Sequence, residues 1–88
     1  MRRIKFKTRC ERDLKRMKRR GKNQEDFLAV VNLLAVHGHL PVTHRPHKLS
    51  GEKDGVWECH IESDWLLTYE VSDSEVLLIR TGTHADLF

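Results

Sequence analysis

From Arg2 to Lys7 the chain alternates, with Ile4 and Phe6 on one side and Arg3, Lys5 and Lys7 on the other, the period of two that a half-buried strand requires. The period then changes. Cys10, Leu14 and Met17 recur at i, i+4 and i+7, which puts them on one narrow stripe of a surface helix. Thr8 with Glu11 three residues on reads as a capping box at its start, and Gly21 marks its end. Asn23 caps a second helix with Asp26 at N3. Phe27, Leu28, Val30, Val31, Leu33, Leu34 and Ala35 cover most of its circumference before Gly38 stops it, so this is the core helix.

Periodicity fails from His37 to Gly55, where Gly38, Pro41, Pro46, Gly51 and Gly55 punctuate the chain. The reading is an extended loop with a short strand around Leu49, and a loop of that length is often functional. Three strand signals follow, Val56 to Glu62, Trp65 to Val71 and Glu75 to Thr81, joined by the turn segments Ser63-Asp64 and Ser72-Asp73-Ser74. They form an antiparallel meander. Strand, helix, helix, three strands and a tail predict an α+β domain with both helices packed on one face of the sheet. In the strand from Val56, alternation sets Trp57, Cys59 and Ile61 on one face and Glu58 and His60 on the other. If the helices cover the Trp57 face, Glu58 and His60 look out of the open side, with Arg80 a candidate neighbour. Trp57, Trp65 and Tyr69 belong to the core rather than to a base-stacking platform.

Length and charge narrow the picture. Eighty-eight residues suffice for one domain, residues 1–88. No apolar run approaches the roughly 20 residues that span a bilayer, and Met1-Arg2-Arg3-Ile4-Lys5-Phe6-Lys7 leads into more charge rather than a signal-peptide stretch. The expectation is a cytoplasmic protein with no membrane partner, and Cys10 and Cys59 are read as reduced, buried thiols. The net charge of +3 conceals an asymmetry: residues 1–22 hold 12 Lys and Arg against Glu11 and Asp13, whereas the remainder holds 4 against 11 carboxylates. A basic face of this density suits contacts with a polyanion or an acidic protein, and Lys15, Arg16, Arg19 and Arg20 are assigned to it.

Six histidines are the main chemical resource. His37-x-His39 and His44-x-x-His47 with Cys59 invite a zinc reading, but structural zinc sites favour paired cysteines and this spacing is loose. No metal and no cofactor is expected. Cleaving RNA without a metal needs a base for the 2′-hydroxyl, an acid for the leaving 5′-oxygen and a cation for the phosphorane. Histidine, with a reference pKa of about 6.5, fills either proton-transfer role near neutrality. His47, His60 and His84, with Asp64 and Glu58 as carboxylates and Arg80 or Lys48 as cation, supply every part.

The stretches His47-Lys48-Leu49 with Gly51, Trp57-Glu58-Cys59-His60-Ile61-Glu62-Ser63-Asp64-Trp65-Leu66-Leu67-Thr68-Tyr69, and Arg80-Thr81-Gly82-Thr83-His84-Ala85-Asp86-Leu87-Phe88 resemble the YafQ family of toxins in the RelE superfamily. The resemblance is specific from His47 onward. It implies a RelE-like fold and a ribosome-dependent endoribonuclease that enters the A site, cuts translated mRNA and is held inactive by a cognate antitoxin with a DNA-binding part. His47, His60, Asp64, His84 and Phe88 match the family's active-site positions, and Glu58 stands where the family can carry Asp. The roles this implies are His84 as general acid, His47 or His60 as base, Asp64 as the group that orients or charges an imidazole, and Phe88 as a stacking partner for an mRNA base. The rival reading is a non-catalytic RNA-, ribosome- or antitoxin-binding module, in which the basic helix works and the histidines do no chemistry.

Overall fold

The computed structural model describes residues 1–49 and 55–88; Gly51 and its part of the predicted loop lie outside the described residues. The elements in chain order are β1 (Arg3–Phe6), α1 (Thr8–Arg19), α2 (Gln24–His37), a 3-10 turn (Val42–His44), β2 (His47–Lys48), β3 (Trp57–Glu62), β4 (Trp65–Val71), β5 (Glu75–Gly82) and α3 (His84–Leu87). The strands form one sheet in the order β1-β5-β4-β3-β2. The α+β class and the antiparallel β3-β4-β5 meander are as expected. Three features are additional: β1 runs parallel to β5, β2 pairs with β3 one residue before the expected short strand, and the tail coils into α3. Alternation has the same period beside a parallel or an antiparallel neighbour, so the pattern of Arg2 to Lys7 carried no information about direction.

The core lies between the helices and one sheet face. Cys10 and Met17 of α1 and Phe27, Val30, Val31 and Leu34 of α2 meet Cys59, Trp65, Leu67, Tyr69, Val76 and Leu78. The Phe27 ring stacks between Phe6 and Trp65, at 6.1 and 6.2 Å. Trp65 is fully buried and donates its indole N–H to Thr81 Oγ1 at 2.9 Å, which confirms it as core. Cys10 and Cys59 are free, buried thiols.

α2 starts and stops as its sequence indicates. Asn23 accepts from the Glu25 N–H, and Gly38 takes the left-handed conformation that returns its N–H to Leu34 O. Two expectations fail at the N-terminal end. The cap of α1 is Lys7, with no side-chain capping bond at all. Its N–H is held by Leu78 O in the β1–β5 ladder while its carbonyl already accepts from Glu11 N, so helix begins at Thr8 and leaves that hydroxyl inside the first turn. The apolar side of β1 is less covered than a half-buried strand implies, with Ile4 at 43% and Phe6 at 36% exposure, because β1 is the outermost strand.

β5 reverses its alternation midway. Val76 and Leu78 are fully buried in the core, and strict alternation would carry Arg80 in after them. The register with β4 instead shifts between Thr68 and Tyr69, so Tyr69 pairs with Leu78 and Thr68 with Arg80. Ile79 is the extra residue of a bulge. Arg80 and Gly82 therefore face the open side, and Thr81 turns into the core. Among the described residues no helix is long and apolar enough to cross a membrane.

Candidate active site

Two rows of residues cross the open face of the sheet. In the first, His47 pairs with Glu58, Glu58 with Thr68 and Thr68 with Arg80. In the second, His60 pairs with Leu66 and Leu66 with Gly82. Thr83 and His84 follow Gly82 directly, and the β3–β4 turn places Asp64 beside them. Strands that are distant in sequence thus bring His47, Glu58, His60, Asp64, His84 and Arg80 to one end of one face.

Two histidines are held by carboxylates. His84 Nδ1 lies 2.9 Å from Asp64 Oδ1, and the His84 backbone N–H donates to the same oxygen at 3.0 Å. Those two donors, the backbone one first, hold the Asp64 carboxyl below the usual carboxylate range. His47 Nε2 stands 3.3 Å from Glu58 Oε1, and its Nδ1 is 3.1 Å from the Arg45 carbonyl. Arg45 is the sole non-glycine residue with positive φ, at 48°, among the described residues, and this turn brings its carbonyl to the ring. Both neighbours of His47 are acceptors, so the ring satisfies both only with two N–H groups.

His60 has the complementary arrangement. Its Nδ1 lies 3.2 Å from the Ser63 carbonyl, which only accepts. Nδ1 is therefore a donor, and in the neutral form of the ring the lone pair lies on Nε2. The His60 ring centroid is 6.0 Å from that of His84, and His84 is 6.5 Å from the exposed Phe88 ring. His44, in the 3-10 turn, anchors this group from behind through Nδ1 to His60 O at 2.9 Å. His37 and His39 stand together elsewhere, with their rings 6.0 Å apart.

The basic residues assigned to RNA fall into four separate places. Arg9, Arg12, Arg16, Arg19 and Arg80 line a cleft of about 360 Å³ around Asp13. Within it Arg80 donates to Asp13 through Nε at 2.7 Å and Nη2 at 3.2 Å, and among the described residues its other N–H groups have no partner. Arg20 donates to both oxygens of Asp86, at 2.6 and 3.0 Å. Lys15 lies on the other flank of α1, in a groove with Phe6, Leu14 and Lys18. Lys48 leaves β2 on the face opposite His47, its Nζ 5.8 Å from the Trp57 ring centre, so the cation in the site rows is Arg80. Among the described residues no group of three or more His, Cys, Asp or Glu is arranged to hold a metal ion.

Asp13 and Asp86 were not singled out from sequence and His44 only as a possible zinc ligand, and the two carboxylates left a signal. Asp13 lies three residues after Cys10 and four before Met17, within the apolar stripe, where a carboxylate needs a partner. Thr83-x-x-Asp86 is a capping-box pattern, and both of its hydrogen bonds form. His44 is placed by loop geometry that has no sequence pattern.

The family described as "Bacterial toxin of type II toxin-antitoxin system, YafQ" matches residues 2–88. The mRNA interferase toxin YafQ of Escherichia coli strain K12 is 33% identical over 86 residues, covering 97% of this chain and 94% of that protein. The crystal structure of the E. coli DinJ-YafQ complex contains a chain that superposes with a TM-score of 0.91 at 31% identity, covering 100% of this chain and 99% of that one. A metal-bound toxin from Helicobacter pylori gives 0.91 at 30% identity, with both chains fully covered. With the architecture and the sequence in agreement from end to end, the chain belongs to the YafQ family of bacterial type II toxin-antitoxin toxins.

Proposed function

We propose that this toxin is a cytoplasmic, ribosome-dependent endoribonuclease that cleaves translated mRNA in the A site by metal-independent acid–base catalysis. The observation that carries the reading is the His84–Asp64 pair set beside His60, with Nε2 of each ring free of hydrogen-bond partners among the described residues. His60 Nε2 takes the proton of the 2′-hydroxyl as the 2′-oxygen bonds to phosphorus. The bond from phosphorus to the 5′-oxygen breaks, and His84, oriented by Asp64, protonates the leaving oxygen. Arg80 and the His47 ring face the developing phosphorane charge. Phe88 offers its exposed ring to a base. The relatives' name as mRNA interferases supports RNA as the substrate, and the DinJ-YafQ complex supports a cognate antitoxin as partner; that antitoxin carries a DNA-binding part.

Primer extension on a reporter mRNA in a reconstituted translation system tests the reading. Replacing His84 by Ala should lower cleavage about 10²- to 10⁴-fold while ribosome binding persists, and blocking initiation should abolish the cuts. Stripping the toxin with a transition-metal chelator should leave them unchanged. A His84→Ala protein that inhibits translation as well as the native chain would instead establish a binding module acting through the arginine cleft.

A further inference from the structure

Asp86 sits at the end of a chain whose neighbouring surface is built to attract anions, and its contacts are those of a fastener. Its Oδ2 accepts from the Thr83 N–H at 2.9 Å, its own N–H reaches Thr83 Oγ1 at 3.2 Å, and Arg20 grips both carboxylate oxygens. Arg16 Nη2 stands 3.8 Å away, and the Asp86 side chain is only 12% exposed. Arg20, first, and the Thr83 N–H hold this carboxyl well below the usual range. The position has been cleared for it: a Cβ on Gly82 would meet Asp86 Cβ and Oδ2 at 2.9 Å.

α3 has four residues, too few to persist by their own helical hydrogen bonds. It carries His84, whose backbone N–H and Nδ1 must both meet Asp64 Oδ1. Two carboxylates therefore hold consecutive peptide N–H groups, Asp86 that of Thr83 and Asp64 that of His84. The second contact depends on the first, because the Thr83–His84 peptide is oriented by the turn that Asp86 closes. We propose that Asp86, clamped to α1 by Arg20, is a positioning residue that docks α3 and so aims the His84 imidazole; this rests on the catalytic role proposed above for His84.

Electrostatics alone makes the opposite prediction. Neutralising Asp86 adds positive charge beside the arginine cleft, which strengthens attraction to RNA, whereas losing the clamp misplaces a proton donor. The experiment uses the full chain with Asp86→Asn, which keeps an acceptor for Thr83 but removes the charge that holds Arg20, and separately Gly82→Ala, which displaces Asp86 sterically. Cleavage is measured as kcat and KM in reconstituted translation, and nitrogen NMR of histidine-labelled protein reports the His84 Nδ1–H bond.

Both variants should lose roughly 10- to 100-fold in kcat, with KM unchanged or lower. The His84 Nδ1 signal should shift or broaden, and far-ultraviolet circular dichroism should stay native because α3 is only four residues long. Native kcat in Asp86→Asn, or an unaltered His84 signal in both variants, overturns the proposal. If the native chain itself cuts nothing, the catalytic reading has failed, and the His84 signal alone decides whether the clamp exists.

Discussion

Glu58 is 5% exposed, with one carboxylate oxygen facing His47 and the other buried without a hydrogen bond among the described residues. A buried acceptor left unmade opposes folding by about 1–3 kcal/mol, and its position in the His47 row gives it a use, since together with the Arg45 carbonyl it fixes the imidazole of a two-residue strand. The two thiols show the opposite case, burial without function. Desolvation, foremost, pushes Cys10 and Cys59 up from 9.0 to about 12. In the unfolded chain they ionise near pH 9, while in the fold they stay protonated. Their contribution is therefore complete below pH 9 and is lost as pH rises toward about 12. Urea denaturation should give falling stability between pH 8.5 and 10.5, less steep in a Cys10→Ala, Cys59→Ala double variant. Native protein at pH 8 should resist iodoacetamide, and rapid alkylation there would show that the thiols are open to solvent.

α1 does two jobs at once, and Asp13 joins them. β1 pairs β5 only from Glu75 to Leu78, so the edge of β5 beyond that point would be bare. Asp13 Oδ2 accepts from the Thr81 N–H there at 3.2 Å and holds Arg80 as well. Replacing Asp13 by Ala should cost about 1–3 kcal/mol, the penalty for a buried donor left alone, and should also lower kcat because Arg80 loses its anchor. Urea titration alongside the cleavage assay checks both. Loss of stability with normal cleavage would separate Arg80 from the reaction. This is also the scale at which the sequence stopped being informative. Phe27 to Ala35, Asn23 and Gly38 specify α2 through local pattern and caps, and Trp57, Cys59, Glu58 and His60 declare their faces by alternation. Arg80 does not, because the bulge at Ile79 depends on what β4 presents opposite it. The direction of β1 depends on a crossover through every later element, and α3 is too short for periodicity.

The arginines that looked alike along the chain differ once the whole molecule is assembled. Arg16 contacts Asp13 at 3.2 Å and approaches Asp86, and Arg20 is engaged by Asp86. Arg9, Arg12 and Arg19 line the same cleft with no carboxylate at ion-pair distance among the described residues. A cation that already has an internal carboxylate gains less from a phosphate, since binding there releases fewer counterions and strains an existing pair. Charge reversal at Arg9, Arg12 and Arg19 should therefore weaken ribosome binding more than reversal at Arg16 and Arg20, even though the second pair lies nearer His84. The difference should appear in KM and in salt dependence: each phosphate that the protein no longer neutralises lowers the slope of log affinity against log salt by about 0.7 to 0.9. Reversing all three arginines should flatten the plot by roughly two units or more, with kcat at saturating ribosomes preserved. Reversal of Arg20 should do the converse, lowering kcat through α3 and leaving most of the salt dependence intact. Equal slopes for the two sets would mean that the cleft does not bind RNA phosphates and that the charge at this end of the molecule serves the antitoxin instead.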